Sequence, residues 1–198
     1  MISPGCSRPS VKQYMAGCLA VLLATSTAAF EPPSSRKPSP VLSASGTVQV
    51  AFTPGHDVGK LIADAIDGAR AQVLVQAFSF THRRIADALI SARHRGVDVK
   101  VIADREQTEK IPTSLIARMV SQGVPVFTDS NHSSAHNKVM LIDAGSAQAT
   151  LITGSFNFTH AAQYKNAENV LVMRGNSALV DLYLENWLDH FRHARPYR

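Results

Sequence analysis

A histidine and a lysine stand two residues apart where a polar loop becomes an apolar stretch, in the sequence SAHNKVMLID. In a strand, side chains at positions i and i+2 share a face, so His136 and Lys138 would project together. A neutral imidazole is a nucleophile or a general base, and an ammonium is a fixed positive charge. The pair therefore places a nucleophile or general base beside a fixed cation. An exposed strand end that is merely polar is the alternative that the pair alone leaves open.

A second polar group follows the next apolar stretch, in the sequence GSFN from Gly154 to Asn157. Ser155 and Asn157 again lie at i and i+2 and offer neutral hydrogen-bond donors. With Lys138 they could stabilise negative charge that builds in a transition state. Ser155 itself is not predicted to be a hydrolase nucleophile, because no G-x-S-x-G elbow surrounds it.

These two stretches, HNKVMLID and GSFN, make the chain resemble the phospholipase D superfamily, whose signature is H-x-K-x4-D followed by G-S-x-N. The resemblance is sharper to the small bacterial nucleases with one motif per chain, because GSFNFTHAAQYKNAENVLV is similar to the sequence after their motif. It extends from about Val48 to the last predicted helix. One departure is the spacer of ten residues between Asp143 and Gly154, where the family pattern has six. An extension of a surface turn would leave both flanking strands in place.

The resemblance implies a phosphodiesterase that works through a phosphohistidine on His136 and needs no metal ion or other cofactor. It places Glu168 as the carboxylate that orients the other ring nitrogen of His136, like the third member of a catalytic triad. Asp143 would face away from His136, so we expect it to have a structural hydrogen-bonding role, and Gly154 is the other structural member of the motif.

The other histidines are predicted to be surface or loop residues. His132 and His160 flank the motif segments and are weaker candidates for contact with the substrate. His190 and His193 lie at i and i+3 on the last predicted helix, a spacing that could bind an ion. A solvated, basic helix end is the commoner interpretation. No cluster of histidines or carboxylates shows the spacing of metal ligands, so no metal site is predicted.

A second histidine is needed to protonate the leaving alkoxide, since an alkoxide leaves poorly at neutral pH. The chain contains one copy of the motif. By this resemblance, family members with a single copy form homodimers, which join two motifs across a twofold axis. The resemblance therefore implies a homodimer in which the second copy of His136 is the general acid.

The first 46 residues are predicted to lie outside the folded domain. Residues 1–29 combine the basic Arg8 and Lys12, the apolar run MAGCLAVLLATSTAA and small residues near Ala28, a pattern typical of a cleavable secretory signal. The run is shorter than the roughly 20 apolar residues that a membrane span needs. Residues 30–46 are predicted to be a Pro/Ser-rich linker, and residues 47–198 have the length of one domain. We expect a periplasmic or secreted protein without a stable membrane anchor.

Composition restricts the chemistry of this mature domain. Both cysteines, Cys6 and Cys18, lie in the predicted signal, which excludes a disulfide, a thiol nucleophile and a cysteine metal site. The formal net charge of +5 falls by two when Arg8 and Lys12 are removed, so the domain is mildly basic. Such a charge is compatible with nucleic acid or with an anionic membrane surface.

Strands alternate with helices in the first part of the domain and predict a mixed, largely parallel β-sheet sandwiched between helices, an α/β fold. The predicted strands are TVQVAF, AQVLVQAFSF, VDVKVIAD and VPVFTD, separated by the helices DVGKLIADAIDGA, RRIADALISARHRG and TSLIARMVSQG. From Asn137 on, a hairpin of NKVMLID and ATLITGS is followed by a short helical stretch near THAAQYK, the strand ENVLVM and the amphipathic helix NSALVDLYLENWLDHFRHA.

Three functions fit these observations. The preferred hypothesis is a nonspecific endonuclease, because the chain is small, has one motif, is mildly basic and shows no long apolar loop for a bilayer. A phospholipase D acting on phospholipid head groups is the alternative, since the same site would hydrolyse either diester. A catalytically inactive nucleic-acid-binding module is the third, and the intact His136 and Glu168 argue against it.

Overall fold

The computed structural model describes residues 38–198, and one eight-stranded sheet runs through this part of the chain. The predicted signal and residues 30–37 of the predicted linker lie outside the described residues. The first strand begins at Thr47. The elements in chain order are β1 (Thr47–Thr53), α1 (Val58–Asp67), β2 (Gln72–Ala77), α2 (Arg83–His94), β3 (Asp98–Asp104), α3 (Arg105–Lys110), α4 (Ile116–Ser121), β4 (Val126–Asp129), β5 (Lys138–Ile142), β6 (Thr150–Gly154), α5 (His160–Tyr164), β7 (Glu168–Arg174), α6 (Ser177–His193) and β8 (Arg195–Pro196).

The sheet has the strand order β1-β7-β6-β5-β2-β3-β4-β8. The prediction of a mixed α/β sheet between helices is confirmed, but its description as largely parallel is wrong. Only the pairs β2–β3 and β3–β4 are parallel, and in each of them a helical crossover connection joins the two neighbouring strands. The loop between β4 and β5 contains no helix, and β5 therefore runs antiparallel to β2, as does β6 to β5 and β7 to β6.

Both faces of the sheet are apolar, so both are covered. In β2, Val73 and Val75 face the layer of α1, α2 and α4, whereas Leu74 faces α6. On the α6 side Trp187 is buried and its indole Nε1 donates a hydrogen bond to the carbonyl of Val75 at 3.1 Å. The long last helix is thereby fixed across the middle of the sheet.

Two elements were not predicted from the sequence. The helix α3, REQTEK, is polar on every side and shows no apolar periodicity; it forms because Asp104 caps it, accepting from the amide of Gln107 at 2.8 Å. The strand β8 has two residues and pairs antiparallel with β4, Thr128 lying opposite Arg195. This pairing brings the carboxyl end of α6 beside the end of β4. None of the helices between residues 38 and 198 has the length and apolar character that crossing a membrane requires.

Candidate active site

His136 is the second-last residue of the loop that leads into β5, and hydrogen bonds fix the backbone on both sides of it. The amide of Ala135 donates to Asp104 Oδ2 at 2.9 Å, and the carbonyl of Asn137 accepts from the amide of Phe78 at 2.9 Å. The ring of Phe78 lies against that of His136 with centroids 4.3 Å apart. The His136 side chain itself is exposed, so it is accessible to a substrate. Sequence reasoning missed Phe78 and Asp104. Phe78 follows β2, which pairs antiparallel with β5, and Asp104 is the last residue of β3.

Lys138 is buried beside His136, as the two-residue spacing predicts. Its ammonium Nζ donates to the backbone oxygen of His136 at 2.6 Å and lies 2.9 Å from Nδ1 of the same residue. It also lies 5.0 Å from the centre of the Phe78 ring, within cation–π range. Burial lowers the pKa of Lys138 below its ordinary value of 10.5, although the charge of Glu168 opposes this shift. Lys138 thus provides a positive charge at a fixed position beside His136.

The contact between Lys138 and His136 fixes where the imidazole carries its proton. An ammonium has three donors and no acceptor, so Nδ1 of His136 must accept, and the hydrogen of the neutral ring is on Nε2. In this state Nε2 can donate a proton but cannot attack phosphorus. Attack through Nε2 therefore requires Nδ1 to exchange Lys138 for an acceptor.

Glu168, at the start of β7, was expected to orient His136, but in this structure it contacts Ser155 instead. Ser155 Oγ donates to Glu168 Oε2 at 2.5 Å, and Asn166 Nδ2 donates to Oε1 at 2.9 Å. Among the described residues no hydrogen bond joins Glu168 to His136. Ser155 and Glu168 meet because β6 and β7 are neighbours, with the amide of Asn169 also donating to Ser155 Oγ at 3.0 Å. The only donor of the Ser155 hydroxyl is therefore engaged with a carboxylate rather than free for a phosphoryl oxygen.

The glycine of the GSFN motif is required for steric reasons. Gly154 adopts φ +153°, and a Cβ there would lie 2.2 Å from the carbonyl oxygen of Asn169 on β7. Only glycine allows β6 and β7 to approach this closely just before Ser155. Asn157, two residues beyond Ser155, is half-buried, and its Oδ1 is buried without a hydrogen-bond partner in the described part of the chain. A polar side chain left in this state is available to a ligand or to a protonated imidazole.

Asp143, for which a structural hydrogen-bonding role was expected, lies at the far end of β5 from His136. Its carboxylate accepts from the backbone amides of Arg70, Ala71 and Gln72 at 2.7–3.2 Å. Burial raises the pKa of Asp143, but these three donors outweigh burial and hold the pKa below 3.8. The motif aspartate therefore fastens the start of β2 to the end of β5, and the longer spacer that follows does not disturb it.

His160, three residues after Asn157 in the chain, lines a pocket of about 410 Å³. The amides of Thr81 and His82 both donate at 2.9 Å to the carbonyl of Phe158, the residue after Asn157, and the amide of His160 donates to Thr81 Oγ1. The pocket is also lined by Arg83, Arg84, Asp87 and Tyr164. The rings of His160 and Tyr164 are 4.5 Å apart. His160 thus has a place where it could contact substrate, and sequence reasoning missed Arg83 and Arg84 as its neighbours.

His132 is placed elsewhere, in a cluster with Asp129, His190 and His193. One imidazole nitrogen of each histidine lies 2.8–3.1 Å from Asp129 Oδ2. The expectation that no cluster of potential metal ligands forms is therefore wrong, because ligand atoms of these four residues lie within 4.8 Å of one another. Nor is the pair His190 and His193 simply a solvated helix end, since it faces a buried carboxylate.

Comparison with known proteins agrees with the geometry around His136. The pattern of the family described as "Cardiolipin synthase, PLD-like domain" matches residues 62–191. A protein of Rickettsia bellii named "Phospholipase D" is 41% identical over 71% of this chain and 67% of its own length. The crystal structure of Nuc from Salmonella typhimurium, described as a phospholipase D family member, superposes with a TM-score of 0.72 at 38% identity and covers 78% of this chain and 99% of Nuc. NucT from Helicobacter pylori shares the fold, with a TM-score of 0.67 at 22% identity over 77% of this chain and all of that chain.

Proposed function

The chain belongs to the phospholipase D superfamily, in the branch of Nuc, and we propose that it is an exported, homodimeric endonuclease that cleaves nucleic acid without a catalytic metal. Enzymes of this superfamily are phosphodiesterases, so the reaction class follows from membership. The substrate, the dimer and the export are the parts that we propose. The observation that carries the choice of substrate is the pocket lined by Arg83, Arg84, His160 and Tyr164.

In the first step, Nε2 of His136 attacks phosphorus, the bond from phosphorus to the leaving oxygen breaks, and a phosphohistidine forms. Binding of the phosphodiester draws the Lys138 ammonium from Nδ1 to the anionic oxygens. Nδ1 then becomes the donor and needs an acceptor. Glu168 is the candidate because the family resemblance assigns it this role and because its charge already acts on Lys138. When Glu168 turns to the ring, the hydroxyl of Ser155 is released to donate to a phosphoryl oxygen, beside the amide of Asn157.

The leaving oxygen needs a proton, and the second step needs a base. A second imidazole, initially protonated, supplies the proton and then removes one from the water that hydrolyses the phosphohistidine. Two such rings titrate as a coupled pair. Because the chain carries one motif, we assign this role to His136 of a second copy.

The outer face of β1 favours this dimer. Val48, Val50 and Phe52 project from one face of this edge strand and are 66%, 50% and 51% exposed. Phe52 lies opposite Asn169 in the neighbouring strand, next to Glu168. An apolar row of this kind beside an incomplete site suits a second copy of the same chain, which would cover the row and complete the site.

The pocket lined by His160 and Tyr164 supports nucleic acid over lipid. Arg83 provides positive charge for a further phosphate of a strand, whereas Arg84 is ion-paired with Asp57 at 2.8 Å. The rings of His160 and Tyr164 provide a surface on which a base can stack. A phospholipid head group presents one phosphodiester and no base, so it would leave these rings unused. The second candidate, a phospholipase D, is favoured by the name of the Rickettsia relative, and an anionic head group would use the same His136 and Lys138.

Plasmid cleavage in EDTA tests the proposed function. We expect the wild-type protein to nick supercoiled DNA, and His136→Ala to abolish nicking while most DNA binding remains. His94→Ala, at an exposed histidine of α2, is the matched control and should cleave normally. Circular dichroism at the assay temperature verifies that chelation leaves the protein folded. Release of head groups from phospholipid vesicles with DNA left intact would favour the lipase, and equal inertness of wild type and His136→Ala on both substrates would favour the binding module.

A further inference from the structure

We propose that Asp129, His132, His190 and His193 form a zinc site that joins the loop before His136 to the last helix. None of the four residues belongs to the HxK or the GSxN motif, and no step of the proposed reaction uses them. Its four members come from three segments: the end of β4, the loop that follows, and the carboxyl end of α6. The pairing of β8 with β4 brings these segments together.

The first argument is the number of imidazoles around one oxygen. Oδ2 of Asp129 lies 3.1 Å from His132 Nδ1, 2.8 Å from His190 Nδ1 and 3.1 Å from His193 Nε2. A carboxylate oxygen offers about two lone-pair sites. Three nitrogens directed at one oxygen are therefore more than simple hydrogen bonding accommodates. A cation placed between the four atoms satisfies every one of them, because each neutral imidazole then directs a lone pair at the metal.

The second argument is the geometry of the four donor atoms. With bonds of about 2.0–2.1 Å, neighbouring ligand atoms of a tetrahedral zinc ion lie about 3.3 Å apart. The three distances from Asp129 Oδ2 to the nitrogens are close to that edge length, and all four atoms lie within 4.8 Å of one another. Small side-chain rotations are enough to open the cluster around an ion.

The donor set favours zinc over the hard cations. Calcium and magnesium prefer six or more oxygen ligands, whereas three imidazoles with one carboxylate suit zinc or a similar transition ion. The aspartate is also held as a metal ligand should be. Its side chain is fully buried, and the other oxygen, Oδ1, accepts from the amide of Asn131 at 2.9 Å.

An ion has a route to the cluster. The side chain of His132 is 47% exposed, and a cavity of about 260 Å³ adjoins it, lined in part by Glu106 and Ser130. Asp129 forms part of the same cavity wall.

Occupation of the site would fix the loop that carries the nucleophile. His132 precedes His136 by four residues, and between them Ala135 is already tied to Asp104. A bound ion would attach the other half of this loop to α6. We therefore assign the ion a structural role, stabilising the position of His136 without touching the substrate.

Zinc binding to the full chain tests this proposal, and the readouts do not depend on cleavage. After removal of metals with EDTA, we expect one Zn²⁺ per chain to bind in calorimetry and to raise the melting temperature, and Co²⁺ to give the intense visible absorption of a tetrahedral complex. His132→Ala removes a ligand that is half exposed and should weaken Zn²⁺ binding on the order of 100-fold or more without unfolding the apoprotein. The double variant His132→Ala/His193→Ala should lose binding.

The matched control is His94→Ala, which removes an exposed histidine outside the cluster and should bind Zn²⁺ like the wild type. His136→Ala should also bind Zn²⁺ normally, which separates this proposal from the proposed function. Failure of the wild type to bind one equivalent, or identical binding by wild type and His132→Ala, would overturn the site. In that case the cluster is a network of imidazoles hydrogen-bonded to Asp129.

Discussion

Ser155 donates its hydroxyl proton to Glu168 across the β6–β7 pair at 2.5 Å, and among the described residues no hydrogen bond joins this carboxylate to His136. The proposed reaction requires this contact to break, since the single hydroxyl donor of Ser155 must turn to a phosphoryl oxygen while Glu168 accepts from Nδ1 of the attacking imidazole. The contact therefore represents the resting state of the site, and the two residues should differ in how much they contribute to turnover.

Glu168→Gln should lower kcat more than Ser155→Ala does. Loss of the carboxylate leaves the imidazole without the acceptor that fixes its reactive tautomer, an effect on the order of 10⁴-fold in a comparable triad. Loss of one donor to the phosphoryl oxygens costs about 100-fold. Steady-state kinetics on a short oligonucleotide measures both, with Ser177→Ala as an exposed serine control. The reverse order would contradict the assignment of Glu168 to the imidazole.

Lys138→Met should reduce turnover far more than affinity. The buried ammonium stabilises charge that develops only in the transition state, so we expect kcat to fall about 10²–10³-fold. The Kd for DNA should change much less, because many phosphate contacts share the binding. Lys138→Arg should not restore activity, since a planar guanidinium does not fit the space of an ammonium between His136 and Phe78.

Lys60→Met, at an exposed cation of α1, is the control for the loss of one positive charge. Both quantities are measured at one salt concentration. A loss of affinity as large as the loss of kcat would mean that Lys138 serves ground-state binding.

The sequence predicts the parts of this site that depend on local spacing. The two-residue periodicity of strands brings His136 and Lys138 together, and the fixed order of apolar and polar residues places Asp143 at the opposite end of β5. The partner of Glu168 could not be predicted in this way. The Glu168 carboxylate could contact any of several residues on β6 and β7. The pairing of these two strands determines which residue it contacts.

The histidine cluster could not be predicted from local sequence spacing either. Asp129 and His190 are 61 positions apart in the chain, and neither stands in a recognisable spacing with the other. They meet because a two-residue strand, too short to give a pattern, returns the end of α6 to β4. The prediction of a largely parallel sheet was wrong for the same reason, because strand pairing cannot be read from local sequence. Helices between strands predict crossover connections, but only the pairing shows which neighbouring strands run in opposite directions.

Asp143→Asn should destabilise the protein by about 1.5–3 kcal/mol at neutral pH, because a charged acceptor of three backbone amides is lost. The pKa of Asp143 is below 3.8 in the folded protein, so its contribution is fully present above about pH 4 and is lost as the pH falls through the folded pKa. The difference between wild type and variant should therefore shrink in acid. Urea unfolding at pH 7 and at pH 3 measures it.

The control for this prediction is Asp181→Asn, an exposed carboxylate on α6. It should alter the free energy of unfolding little at either pH. A difference between wild type and Asp143→Asn that stays constant from pH 7 to pH 3 would show that the amide geometry, rather than the charge, carries the stabilisation.

Phe52→Lys should convert the proposed dimer to a monomer and abolish cleavage. The variant places a charge in the apolar row of β1, where a second copy would have to bury it, while the half-exposed position tolerates lysine in the separate chain. Sedimentation and plasmid nicking measure the two consequences on the same samples. Leu188→Lys is the matched control, because Leu188 on α6 is also an exposed large apolar residue, at 41%, but lies away from β1. A monomer that still cleaves at the wild-type rate would remove the need for a second imidazole, since one chain would then supply both the nucleophile and the acid.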